Sequence, residues 1–198
     1  MKPLLGALIL FVVALTGFTI NQKPMKSKPD MVARGKYLVT VADCNGCHTP
    51  VKLTAQGPVS DSSRFLSGYP ASAPVPKVPT EVLGPGKWAG LFSMENAFAG
   101  PWGVSFPRNL TPDTTTGLGS WTDAMFIKAL RTGKDMGEGR DILPPMPWES
   151  FGQMTDADLR AILAYLKSLK PIDNPVPDPI SPTGERLPTS MGGKLPNK

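Results

Sequence analysis

Every cysteine and histidine of this chain falls within five consecutive positions, Cys44-Asn45-Gly46-Cys47-His48. With only these two thiols, no disulfide framework exists beyond a single pair. The Cys-x-x-Cys-His spacing is that of covalent haem attachment. Two thiols three positions apart on a helical turn reach the two vinyl groups on one porphyrin edge. The next residue then brings its imidazole under the macrocycle to the iron. A cofactor held by thioether bonds cannot be lost, so a small, loop-rich domain can be built around it.

Three other readings fit less well. A structural zinc site takes four protein ligands, and this chain has three such residues, too close in sequence for one ion to take them all. A thioredoxin-like pair sits near a βαβ unit, whereas here a helical pattern precedes the motif and a proline-rich stretch follows it. A chance occurrence is disfavoured by an export segment and by the absence of any other cysteine.

The far side of the iron follows by elimination. His48 is the one histidine, so two histidine ligands from this chain are excluded, leaving a methionine or an open position. Of nine methionines, Met1, Met25 and Met191 fall in the export segment, the linker and the tail. Met31 and Met125 fit helix faces, and Met94, Met136, Met146 and Met154 are in or beside loops. Met146 stands out within Leu143-Pro144-Pro145-Met146-Pro147-Trp148, because prolines on both sides fix the backbone that presents its thioether. Packing under Trp148 is the plainer role for that side chain, and Met154 is the second choice of ligand.

Around the motif, the chain divides into one domain with appendages. Lys2 precedes the apolar run Leu4–Leu15, which continues more weakly to Ile20 and reads as either a signal peptide or a membrane anchor. The absence of an Ala-x-Ala site favours an anchor, and Lys23, Lys26, Lys28 and Arg34 just beyond it argue against one. Export places the protein in the periplasm or on the outer face of the inner membrane. Residues 21–29 read as a linker. Asp30 offers an N-cap for a helix over 31–39, with Val32, Gly35, Leu38 and Val39 on one face. Gly35 inside it marks either close approach of another helix or a tolerated weakness.

Proline numbers 23 in 198 residues, roughly twice the usual share of about 5%. Much of it falls in residues 50–107, a long loop insertion with turns at Gly84-Pro85-Gly86 and Gly100-Pro101 and short apolar runs at Trp88–Phe92 and Trp102–Phe106. Ser120-Trp121-Thr122-Asp123 has capping-box form before a helix over 124–132 that Gly133 ends. Thr155 starts the clearest helix, with Leu159, Ile162, Leu163 and Leu166 at helical spacing and Pro171 as its stop. Residues 171–198 are expected to be a disordered proline-rich tail, so the domain spans 30–170. The net charge of +5 carries no basic stripe with interleaved aromatics, which excludes nucleic acid as a partner.

The motif after a Gly35/Tyr37 helix, the Pro-Pro-Met-Pro loop and a closing helix with Tyr165 and Leu166 resemble class I c-type cytochromes. Asn109-Leu110-Thr111-Pro112-Asp113, Gly117-Leu118-Gly119-Ser120-Trp121, Ala129-Leu130-Arg131-Thr132-Gly133 and Pro145-Met146-Pro147-Trp148 are similar to the haem domains in cytochrome subunits of bacterial alcohol, aldehyde and gluconate dehydrogenases. The resemblance implies an all-α fold of three to five helices around one haem c, with the first and last helices crossing near Gly35 and Tyr165. It implies Met146 as sixth ligand, and it puts Arg108, Asn109, Trp121 and Arg131 near the haem or its propionates, with packing behind the site as the alternative for each. Those subunits often carry three such domains in tandem and this chain shows one. The expected function is single-electron transfer to and from redox proteins (a dehydrogenase, an oxidase or a quinol-oxidising complex), with no catalysis of its own. A haem-bearing subunit of such a complex is the alternative partner arrangement, and a catalytic or sensing haem with an open iron is the alternative chemistry.

Overall fold

The computed structural model describes residues 27–78, 81 and 88–188. The export segment, residues 21–26 of the linker, the turn at 84–86 and residues 189–198 lie outside the described residues. Five α-helices carry the described chain: α1 (Lys28–Val41), α2 (Cys44–His48), α3 (Asp123–Thr132), α4 (Trp148–Phe151) and α5 (Asp156–Ser168). None of them is long and apolar enough to cross a membrane.

The first helix starts earlier than its sequence suggests. Ser27, not Asp30, is the N-cap: its Oγ accepts from the Asp30 N–H, and a proline at Pro29 suits the first turn, whose N–H groups have no helical partner. The end of the expected linker is therefore helix. Likewise α3 is capped by Thr122, whose Oγ1 accepts from the Met125 N–H, and not by Ser120. Gly133 ends α3 in the left-handed conformation (φ 66°) that glycine adopts at no steric cost. Thr155 caps α5 as expected.

The helices α1 and α5 cross at Gly35, and the crossing decides what that glycine is for. A Cβ placed there would lie 1.9 Å from the Ala161 carbonyl oxygen and 2.7 Å from Tyr165 Cβ. Only a residue without a side chain lets the two backbones come so close. Arg34 Nε donates to Asp158 Oδ1 at 2.9 Å beside the crossing. Leu38 and Val39 of α1 then pack with Leu118, Trp121, Phe126, Leu130, Leu159, Ile162, Leu163 and Leu166 into one buried core.

The fold is not plainly all-α. The insertion holds two small antiparallel sheets: β1 (Val51–Thr54) with β2 (Gly57–Ser60), and β3 (Leu91–Phe92), β4 (Phe98–Gly100) and β5 (Gly103–Ser105) in that order. β1 and β2 pair Val51 with Ser60, and β4 and β5 pair Ala99 with Val104. Tyr69, Ala97, Ala99, Val104 and Phe106 form a second buried cluster here. Prolines confine the strands to short lengths because each removes a ladder donor.

Residues 171–188 are not a disordered tail. Val104 and Ile180 exchange backbone hydrogen bonds of 2.8 and 2.9 Å. Asn174 Nδ2 donates to the Ser67 and Tyr69 carbonyls at 2.7 and 2.8 Å. Val176 and Ile180 pack on the second cluster. The proline-rich composition suggested disorder, but an extended segment needs only a few anchors when a neighbouring strand and buried amides offer them.

The two meanings of Gly35 predict opposite signs. As a tolerated helix weakness, Gly35→Ala would stabilise by about 1 kcal/mol. Forced into the crossing, the methyl is expected to destabilise the haem-loaded protein by about 1–3 kcal/mol, read from guanidinium unfolding.

Candidate haem site

Asp43 begins the site by turning the chain. Its left-handed backbone (φ 50°) is the N-cap of α2, a conformation that a short polar side chain tolerates better than most. One turn of helix then carries both thiols and the imidazole. Thr49 closes it: its N–H donates to the Asn45 carbonyl at 3.1 Å, and its Oγ1 donates to Asn45 Oδ1 and accepts from the Leu66 N–H.

Cys44, Cys47 and His48 open on a cavity of about 400 Å³ between the helical core and the insertion. Leu118, Phe126, Leu130, Ile162 and Leu166 form its helical wall, and Phe98 and Phe106 come from the insertion. Met146 lines the same cavity, with Pro145 and Pro147 on either side of it. Met154, the second choice of ligand, packs on the helical core without lining the cavity. Among the described methionines, Met146 alone does so. The loop that carries it is tied at two points. The Ser105 hydroxyl of β5 donates to the Pro144 carbonyl at 2.5 Å, and the Trp148 N–H donates to the Met146 carbonyl at 2.9 Å.

The imidazole has a defined tautomer. His48 Nδ1 lies 2.8 Å from the Arg108 carbonyl oxygen, which can only accept. Nδ1 therefore carries the proton and Nε2 keeps a free lone pair, the arrangement found where histidine ligates a metal. Burial holds the His48 pKa below its ordinary value, which further favours the neutral, ligating form.

Arg108 is more than that carbonyl. Its guanidinium pairs with Asp135 at 2.7 Å and lies 5.1 Å over the Trp121 ring, within the range of a cation–π contact. Both Arg108 and Trp121 line the cavity, as does Arg140. Trp121 Nε1 and Arg140 Nε are buried without a hydrogen-bond partner in the protein, a costly state for a donor. Two such donors on the wall of a mostly apolar cavity suit the carboxylates of a porphyrin.

Two of the four residues expected near the haem or packed behind it do not line this cavity. Asn109 is fully buried, but its side chain accepts from Thr111 and donates to Thr116 and to the Ile172 carbonyl. It holds the loop to the C-terminal segment behind the cavity. Arg131 is exposed and donates to Asp156 and to the Met154 carbonyl, tying α3 to the start of α5. Conversely, Asp135, Arg140, Phe98 and Phe106 line the cavity without any spacing signal in the sequence, since all four lie outside the periodic helices.

The thiols speak against a redox dithiol. Burial pushes Cys44 up to about 11 and shifts Cys47 in the same direction, with Asp43 adding to both. A reactive Cys-x-x-Cys needs the opposite shift. Among the described residues, no three His, Cys, Asp or Glu side chains gather as a metal site of protein ligands alone. The residues present thus fit a haem: two thiols on one edge, a neutral imidazole and a thioether in one cavity, and unpaired donors on its wall.

The chain matches the family Cytochrome c over residues 32–170. It is 27% identical to the fructose dehydrogenase cytochrome subunit of Gluconobacter japonicus over 197 residues, covering 96% of this chain and 33% of that protein. It is 30% identical to the cytochrome c subunit of the quinone alcohol dehydrogenase of Gluconobacter oxydans (strain 621H), covering 81% of this chain and 27% of that one. With the gluconate 2-dehydrogenase cytochrome c subunit of Pantoea cypripedii it shares 27% identity over 91% of this chain and 33% of the other. The chain spans about a third of the length of these relatives.

The Arg108–Asp135 pair is nearly sealed from solvent, with side-chain exposures of 18% and 5%. Removing one partner of such a pair leaves a buried charge less well compensated. Asp135→Ala is expected to cost about 3–5 kcal/mol of stability in denaturant unfolding of the haem-loaded protein, and Arg131→Ala, at the exposed pair, about 1 kcal/mol or less.

Proposed function

The chain belongs to the cytochrome c family, and from that membership we propose that it is an exported electron carrier with a single haem c. Cys44 and Cys47 hold the haem by thioether bonds, and His48 Nε2 and Met146 Sδ are its axial ligands. The observation that carries this is the one cavity shared by both thiols, the imidazole and, among the described methionines, Met146 alone. When bound, the haem supplies a one-electron Fe(III)/Fe(II) couple whose potential His/Met ligation raises.

The protein's own part is to hold that couple still and dry. The Arg108 carbonyl keeps His48 protonated at Nδ1 and fixes its ring. Ser105 and the prolines around Met146 hold the thioether loop. Phe98, Phe106, Phe126, Leu130 and Leu166 keep water from the cavity, which disfavours the more highly charged ferric state. Trp121 Nε1 and Arg140 Nε are the donors suited to the propionates.

The partner is proposed to be a dehydrogenase that delivers electrons from an oxidised substrate, with the chain as a separate carrier or as its haem-bearing subunit. The names of the relatives support this, each being the cytochrome subunit of a dehydrogenase. An oxidase suits the acceptor side, and a quinol-oxidising complex would be an alternative electron donor. The apolar run Leu4–Leu15 after Lys2 supports export, with release or anchorage at the outer face of the inner membrane decided by cleavage.

The ferric protein is expected to show the weak absorption band at the red end of the spectrum that thioether–iron ligation produces. Met146→Ala is expected to abolish it and Met154→Ala to leave it intact. A high-spin ferric spectrum, or rapid carbon monoxide binding to the reduced unaltered protein, would sink the carrier reading in favour of an open, catalytic or sensing iron.

A further inference from the structure

The helix that carries the attachment motif ends without enough donors of its own. An α-helix leaves its last four carbonyls without helical partners, and α2 is only Cys44–His48. The Asn45 carbonyl receives the Thr49 N–H, and the His48 carbonyl receives the Gly68 N–H at 2.8 Å. The remaining carbonyls of that turn and its cap are met by one side chain, fifty residues away in sequence. Asn96 Nδ2 lies 3.2 Å from the Gly46 oxygen, 3.1 Å from the Cys47 oxygen and 3.1 Å from the Thr49 oxygen.

We propose that Asn96 is a positioning residue for the haem, clamping the C-terminal end of α2 so that Cys47 and His48 are held in their attachment and ligation geometry. The inference rests on the attachment of haem at this motif. The chemistry of the side chain is specific. All three partners are carbonyl oxygens, which only accept, so the amide must present its NH2 group and not its oxygen. Aspartate, similar in shape, would set an acceptor against three acceptors.

The backbone at Asn96 is made for the task. It has φ +67°, in the left-handed region that asparagine tolerates better than most residues. The tight loop between β3 and β4 holds it there: the Asn96 N–H donates to the Ser93 carbonyl, the Ser93 N–H to the Ala97 carbonyl, and the Ala97 N–H to Ser93 Oγ. Asn96 itself is buried, at 9% exposure, although its neighbour Met94 is 47% exposed. The hairpin, exposed at Phe92 and Met94, thus sends one polar side chain inward, and it ends on the motif.

The clamp acts electrostatically as well as mechanically. Two amide hydrogens beside the carbonyls that flank His48 offset the negative end of α2 and raise the local potential. Removing them favours the ferric state, so the midpoint potential falls. A residue that merely supported the hairpin would change stability and leave the potential alone.

Three variants and one measurement on the unaltered protein test this. Asn96→Gly keeps the left-handed backbone and removes the donors; it is expected to lower the midpoint potential of the haem-loaded protein and to alter the ferric electron-paramagnetic-resonance signature of the His48 ring. Asn96→Asp is expected to reduce the yield of covalently attached haem further. Met94→Ala, on the same loop and solvent-facing, is the control and is expected to match the unaltered protein. In the unaltered ferrous protein, the Asn96 side-chain amide protons are expected to exchange at least about tenfold more slowly than those of exposed Gln153, which tests the clamp's hydrogen bonds even if a variant fails to accumulate. Equal exchange rates, or an Asn96→Gly protein with unchanged potential and lowered stability, overturn the proposal. Unaltered protein without covalent haem would overturn the attachment reading itself, and this inference with it.

Discussion

A helix of five residues has no stability of its own in water, since isolated helices much below about 12–15 residues are marginal even for favourable sequences. Every Cys and His of this chain sits on one, α2. The rest of the described structure can be understood as what keeps that single turn in place. The hydrogen bond from His48 Nδ1 to the Arg108 carbonyl, 2.8 Å long across 60 residues, is the contact on which most depends. It selects the tautomer, orients the ring and joins the attachment turn to the loop that leads into α3. Arg108 is in turn fixed by Asp135 and Trp121, so the ring orientation is set by a chain of contacts that runs into the helical core.

The parts legible in the sequence are those where local chemistry decides. Cys44, Cys47 and His48 stand out by spacing, and Met146, the proposed sixth ligand, by the prolines around it. Thr155, Gly133 and Pro171 mark helix ends because caps and breakers act within a few residues. Gly35 was half legible. Its presence in a helix posed a question that only the 1.9 Å approach to Ala161 answers, because the partner helix lies over a hundred residues downstream. Asp135 and Asn96 left no signal, since each works on a partner distant in sequence, and neither they nor Arg140 belong to a periodic element. Whether Arg131 and Asn109 face the cavity or pack behind it was not legible for a related reason. Nearness in sequence to Leu130 or Arg108 says nothing about which way a side chain points, and both turned to tie surface or backbone segments together.

The insertion and the C-terminal segment are explained together. Prolines exclude long helices and long strands, but they leave carbonyls free to accept and backbone that is already extended. The second apolar cluster is built from Tyr69, Ala97, Ala99, Val104 and Phe106 of the insertion, with Val176 and Ile180 from beyond α5 packed against it. Neither segment has enough apolar residues to form a core alone. Each supplies part of one, and the Val104–Ile180 pairing closes it. Composition averaged over one segment could not reveal a core shared between two that lie about seventy residues apart.

The position of that second core gives the insertion a role beyond bulk. Its sheet reaches both sides of the cavity: Ser105 of β5 bonds the Pro144 carbonyl in the methionine loop, while Asn96, from the turn before β4, bonds the carbonyls of the histidine turn. Phe98, between those two anchors in sequence, lines the cavity itself. One small sheet therefore bridges the elements that carry the two proposed axial ligands. Lengthening a loop costs little entropy, about 0.6 kcal/mol per doubling, so a long excursion of chain is tolerable if it returns with contacts. Here the excursion returns with a second wall. α2 carries His48 and the proline loop carries Met146, and the insertion is bonded to both.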